Sequence, residues 1–170
     1  MEDKEMTKYN VAGYVKLAKL WERTAEQATA YHRRYYEEKF RNNPQMELVG
    51  VYIDITGQKH IRKRKQMVQL ISDCITGKVN CIATQTRAYL AANNEEFFYL
   101  LHLLFELDHP VDIVTEDTDY LFDTIVDADR QRDTLKATSA DYVKMNPKAY
   151  EIWHAEIMKA IEKTIRQVQE

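Results

Sequence analysis

Four short apolar runs punctuate the first two thirds of the chain. They are Val11–Leu17 (VAGYVKL), Leu48–Ile53 (LVGVYI), Val79–Ala83 (VNCIA) and Val111–Val114 (VDIV). Each is rich in β-branched residues or Tyr, and each lies between stretches of helical periodicity, so they predict buried strands. The first helical stretch runs from about Leu20 to Asn42, with Ala25, Ala28, Tyr31 or His32, Tyr35 and Phe40 near helical spacing. Asn42-Asn43-Pro44 ends it, because Pro disfavours helical geometry in the residue before it. A second helix is expected over about Arg62–Thr76, with Met67, Leu70, Ile71 and Cys74 on one face and Gly77 as its C-cap. A third, about Asn94–Leu107, contains FFYLLHLLF and is apolar on most sides, which predicts deep packing.

The end of the chain has the clearest pattern. Asn146-Pro147 reads as an N-cap followed by Pro at the first helical position. Tyr150, Trp153, Ile157, Ala160, Ile161, Ile165 and Val168 then recur at three- to four-residue spacing. This predicts one long amphipathic helix. It can pack on its own domain, or reach past it as an oligomer contact through Tyr150, Trp153, Ile157, Ile161, Ile165 and Val168.

Alternating strands and helices predict an α/β fold with a mainly parallel central sheet flanked by helices and a long C-terminal amphipathic helix. In such folds functional loops gather at the carboxyl ends of the strands. The expected organisation is a polar tail (1–9), an α/β domain (10–119), an acidic helical or connecting segment (120–145) and the terminal helix (146–170). Around that third segment Glu116, Asp117, Asp119, Asp123, Asp127, Asp129 and Asp133 accumulate. Tyr120, Leu121, Ile125, Val126 and Leu135 could give the stretch an apolar face. A solvated helix surface is the plain reading, and no EF-hand or other defined ligand spacing supports a metal.

Composition narrows the classes. At 170 residues and 45% apolar, one domain with a real core is expected, and 4 Gly with 3 Pro exclude linker-rich or collagen-like chains. Two Cys, Cys74 and Cys81, make neither a disulfide scaffold nor a zinc site. The start, MEDKEMTKYN, is no signal peptide, and no apolar run approaches the ~18 residues of a membrane span. A soluble, cytoplasmic protein without cofactor or metal is expected. The net charge of -3 hides an asymmetry: 14 Lys or Arg against 9 acids in residues 1–65, and 10 against 18 in residues 66–170. Strong autonomous DNA binding is therefore not expected.

No P-loop, GxGxxG, GxSxG or HExxH occurs, and the five His form no close constellation. His60-Ile61-Arg62-Lys63-Arg64-Lys65 sits at a loop-to-helix junction. Arg62, Lys63, Arg64 and Lys65, with free helix amides, could hold phosphate, or could be a solvated charge run.

The segment Glu47–Lys78, ELVGVYIDITGQKHIRKRKQMVQLISDCITGK, resembles the stretch of serine recombinases (the resolvase–invertase superfamily) that runs ELVGxYxDEGxSGT and then KKRxGFxxMxxDAxxGK. Gly50, Tyr52, Asp54, Gly57, Lys63, Arg64, Asp73, Gly77 and Lys78 fall in register. NCIATQTRAYLAANNEEFFYLL is similar to the family's DLIVTKSxSRFARNTxDxLxxI, PVDIVTEDTD to VEVYFExExIDT, and VAGYVKLAK to VAxYxRVST. The resemblance covers about residues 10–119 and implies a resolvase-like domain. That family cleaves DNA with a Ser that forms a phosphoserine link while arginines stabilise the scissile phosphate. The Ser position of YxRVS falls on Ala18, the neighbouring Arg on Lys16, and the two arginines of SRFAR on Tyr89 and Ala92. Arg64, Asp54 and Asn93 are kept. The resemblance thus implies a catalytically inactive recombinase-like domain of bacterial or phage origin, without intact catalytic residues. Its expected partners are a second copy or an active recombinase, with weak DNA contact. The alternatives are a divergent recombinase or nuclease using Lys16, Arg64 and Asp54, and a DNA-binding module using Arg62–Lys65.

Overall fold

The computed structural model describes residues 8–116, Thr124 and 131–169, with backbone alone at 166–169. The order of the main elements is β1 (Tyr9–Leu17), α1 (Ala25–Phe40), β2 (Met46–Ile55), α2 (Lys65–Ile75), β3 (Cys81–Thr84), α3 (Asn94–Phe105), β4 (Asp112–Thr115), α4 (Asp133–Met145) and α5 (Pro147–Gln169). All four apolar runs are strands, and they form one parallel sheet in the order β2-β1-β3-β4. The α/β class with a long terminal helix is the observed one.

Strand alternation sorts the core into two layers. On one face Ala12 and Tyr14 of β1 and Ile82 of β3 meet Met67, Leu70 and Ile71 of α2, Leu100 and Leu104 of α3, and Trp153, Ile157 and Ile161 of α5. On the other, Val11, Val15, Cys81 and Ala83 meet Tyr36 and Phe40 of α1. The second layer is thin because α1 lies close to the sheet. A Cβ added to Gly13 would sit 2.8 Å from the Tyr36 ring, so a glycine is needed for that approach.

Two helix ends follow their local signals and two helix starts do not. Gly77 has φ +85° and follows the α2 C-cap residue Thr76. Its amide bonds the Cys74 carbonyl (3.2 Å) and the Lys78 amide bonds that of Asp73 (2.9 Å), the paired bonds of a Schellman ending. Asn146 Oδ1 accepts from the Ala149 amide at 3.2 Å and so caps α5. The first helix, expected from Leu20, starts at Ala25. Residues Lys19–Thr24 form a 3₁₀ segment with no buried residue, so no packing face holds them in an α-helix. The second helix, expected from Arg62, starts at Lys65. Ile61–Lys63 is a separate 3₁₀ turn, and Arg64 between them has an extended backbone (φ -98°, ψ 106°).

Of the acidic segment, Glu116, Thr124 and residues from 131 onward are described, and α4 begins at Asp133. Asp117, Asp119, Tyr120, Leu121, Asp123, Ile125, Val126, Asp127 and Asp129 lie outside the described residues, as do residues 1–7 and 170. Among the described residues no helix is long and apolar enough to cross a membrane.

Candidate functional site at the carboxyl edge of the sheet

The chain leaves β1 for β2 on one side and returns to β3 on the other. The strand order therefore reverses between β1 and β3, and in open α/β sheets ligands bind outside the carboxyl ends at such a reversal. The ends of β1 and β2 bring Lys16 and Asp54 to this edge, and the connections after β1, β2 and β3 bring Ala18, Arg64, Tyr89 and Ala92. Thr84, the last residue of β3, donates its hydroxyl to the Tyr14 carbonyl at 2.9 Å and clasps the two central strands there.

Asp54 is buried near the end of β2 and works as a cap delivered from a distance. Its Oδ1 accepts from the Gln66 amide (2.9 Å), and its Oδ2 from the Met67 amide (2.9 Å) and the Tyr14 hydroxyl (2.8 Å). The N-terminus of α2 thus has its orphan amides and its positive end neutralised by a neighbouring strand. Burial, and then the adjacent Asp54 carboxylate, raise the Tyr14 phenol far above its ordinary value, so it stays a donor.

Arg64 is 1% exposed. Its guanidinium donates from Nε to the Gln58 carbonyl (3.2 Å), from Nη1 to those of Tyr89 (2.8 Å) and Leu90 (3.4 Å), and from Nη2 to that of Lys59 (2.9 Å). It ties the loop after β2 to the connection after β3. Lys16 is half-buried at the end of β1, where burial and then the Arg64 charge lower its ammonium pKa while Asp54 opposes them. Ala18 is exposed just beyond β1 and Ala92 is exposed before α3. Tyr89 is half-buried. Asn93 caps α3, its Oδ1 accepting from the Glu96 amide at 2.8 Å.

The basic run is not the uniform cationic surface expected from its sequence. Lys63 and Lys65 are exposed. Arg62 pairs through Nη1 with Glu156 Oε2 of α5 at 3.1 Å, and Arg64 points inward. The amides of Gln66 and Met67, expected to be free for phosphate, are held by Asp54. A buried guanidinium surrounded by carbonyls offers a phosphate little, because moving it would strand those carbonyls.

The terminal helix likewise turns inward. Trp153, Ile157 and Ile161 are buried in the chain's own core, a correction to their reading as oligomer contacts: α2, α3, α4 and the turn before α2 take up this stripe. Tyr150 packs edge-on against Tyr99, with ring centroids 5.4 Å apart. Ile165 is 43% exposed, and the Val168 side chain lies outside the described residues.

One group at this edge had no signal beyond its position. Glu96 is buried at the third residue of α3, where a capping-box glutamate would turn back to the N-cap amide. Here Oε1 accepts from the Ile61 amide (3.2 Å) and Oε2 from Trp153 Nε1 (2.9 Å). A single carboxylate joins the loop before α2, the start of α3 and the terminal helix.

This fold, a four-stranded parallel sheet in the order β2-β1-β3-β4 flanked by helices, is that of serine recombinase catalytic domains. The N-terminal catalytic domain of TP901-1 integrase matches with a TM-score of 0.53 at 16% identity, over 84% of this chain and 98% of that one. A resolvase family site-specific recombinase from Streptococcus pneumoniae matches with a TM-score of 0.53 at 14% identity, over 96% of this chain and 100% of the other. No family model and no curated protein matches the sequence. At these identities the likeness is one of fold, and it takes in nearly the whole of each of those two domains.

Proposed function

We propose that this chain is a catalytically inactive serine-recombinase-like domain, an interaction or regulatory protein linked to site-specific DNA recombination or a mobile element. The observation that carries the reading is Ala18, exposed one residue beyond β1 where the resembled motif has its Ser. A methyl group cannot attack phosphorus, so no phosphoserine link can form there. Lys16, Tyr89 and Ala92 replace three guanidinium positions around it. Charge stabilisation by such groups is worth about 3 kcal/mol each. Arg64, the retained one, spends its donors on four backbone carbonyls. What remains is a scaffold suited to contact, and its partner is a second copy or an active recombinase.

A divergent recombinase or nuclease would have to rest on Lys16, since Asp54 and Arg64 are committed to holding α2 and its flanking loops. The test addresses both readings. Purified protein is incubated with supercoiled plasmid and Mg²⁺ or Mn²⁺, and products are resolved on native and denaturing gels. No nicking and no covalent adduct are expected, and either product overturns the inactive reading. Sedimentation at high micromolar concentration, alone and with a serine recombinase, is expected to show self-association or a complex. A monomer that binds no recombinase overturns the interaction role. Duplex DNA is expected to bind weakly at low salt and to dissociate as salt rises.

A further inference from the structure

A second concavity lies on the opposite face of the sheet's edge from Asp54 and Arg64. It is a cavity of about 390 Å³ lined by Leu17 at the end of β1, Trp21 and Thr24 of the 3₁₀ segment, and Gln27, Ala28, Tyr31 and His32 of α1. We propose that this cavity is a binding site for a small, neutral, planar aromatic molecule.

Its size falls in the range of small-ligand sites, and its walls are of the matching kind: apolar and aromatic, with few polar groups. Trp21 and Tyr31 remain 45% and 64% exposed, although both carry large apolar rings. The Tyr31 and His32 rings meet edge to face with centroids 5.1 Å apart, so the wall presents both ring edges and ring faces to a third ring. The charge state of the ligand follows from what is missing in the lining: among the described residues that form it there is no Asp, Glu, Lys or Arg. A charged guest would lose hydration there with no counter-charge to compensate. His32 does not alter this, because burial lowers its imidazole pKa and keeps it neutral at neutral pH. Its Nδ1 is shielded from solvent, so Thr24 and Gln27 supply the polar atoms that a guest can reach. A ring N–H or O–H on the guest suits such a lining better than a bare hydrocarbon.

The site is independent of the recombinase reading, though Leu17 places it one residue from Ala18. A guest would bridge the 3₁₀ segment to α1, covering a segment that has no buried residue of its own.

The test is an amide-resolved NMR titration of the full chain with indole as the probe. Saturable shifts confined to residues 17–32 are expected, with a dissociation constant near or below about 1 mM, the range open to so small a ligand. Trp21→Ala, at an exposed position, should weaken binding at least about fivefold by removing a wall. Ile152→Ala, on exposed α5 surface, should leave it unchanged. Benzoate and benzylamine should bind at least about tenfold more weakly than indole. Shifts that fail to saturate, that spread over the surface, or that persist in Trp21→Ala overturn the site. Equal affinity for the charged probes overturns the class of ligand.

Discussion

Asp54 is the residue whose removal should tell most about how this edge of the sheet is built. Replacing it with Ala strips three donors of one acceptor group: the Gln66 amide, the Met67 amide and the Tyr14 hydroxyl. Gln66 is exposed and its amide can turn to water, whereas Met67 and Tyr14 are fully buried. Loss of a cap costs about 0.5–2 kcal/mol, and each buried donor left unpaired adds about 1–3 kcal/mol. The expected destabilisation is about 3–5 kcal/mol, which for a domain of this size lowers the melting temperature by roughly 10 °C. Asp54→Asn keeps one acceptor oxygen and should lose about half as much. Tyr14→Phe removes one hydrogen bond and leaves Asp54 on its two amides, so about 1–1.5 kcal/mol is expected. The double variant Asp54→Ala/Tyr14→Phe should be less damaging than the two single losses together, because Phe has no hydroxyl to strand. Urea unfolding followed by circular dichroism, with equal slopes across the series, measures all four. A loss below about 1 kcal/mol in Asp54→Ala, or strict additivity in the cycle, would falsify the capping account.

Other residues make equally direct predictions. Arg64→Lys keeps the charge but not the fork that reaches carbonyls on two loops, so a loss of about 3 kcal/mol or more is expected in the same urea series. Wild-type stability would show that those bonds are unimportant. Gly13→Ala drives a methyl against the buried Tyr36 ring and should cost about 1–3 kcal/mol, with near-ultraviolet dichroism reporting the displaced Tyr. Trp153→Phe removes the donor to Glu96 and should loosen α5, read as faster amide exchange in residues 147–165; unchanged exchange would argue against the latch. His102 packs edge-on against Tyr150, and burial holds its imidazole below the ordinary value of 6.5. The unfolded chain therefore binds the proton more readily. Its contribution to stability is present above about pH 6.5 and is lost as pH falls through the lower folded value. Melting temperatures between about pH 7.5 and 5.5 should fall less steeply in His102→Phe than in the parent, and parallel curves would rule the residue out.

Local signals carried much of the fold. Each strand was legible because its apolar run is short, β-branched and bounded by breakers. The ends of α2 and α5 were legible because Gly77 and Asn146-Pro147 act through their own backbone and nearest neighbours. The failures share a cause. Lys19–Thr24 has helix-compatible residues but none of them is buried, and a short helix without a buried face does not hold. Arg64 in a run of cations reads as solvated until the loops on either side present four carbonyls to it. Asp54 reads as a lone acid until β2 is seen to end beside the first turn of α2. The stripe on α5 reads equally well as a core contact or an oligomer contact, since periodicity reports that a face is buried and not by what.

The sequence by itself determined the strands, the main helices, their order and the α/β class. All of these depend on side chains and their near neighbours. The tertiary structure alone decided the strand order, and with it the reversal between β1 and β3. It also decided that Asp54, Arg64 and Glu96 hold the framework together, that α5 folds back on its own domain, and that Trp21 and Tyr31 flank an open cavity. The physical reason is distance. Apart from the two Arg64 bonds to Gln58 and Lys59, the hydrogen bonds that commit these groups join residues from 12 to 57 positions apart, and only the packed chain brings them together.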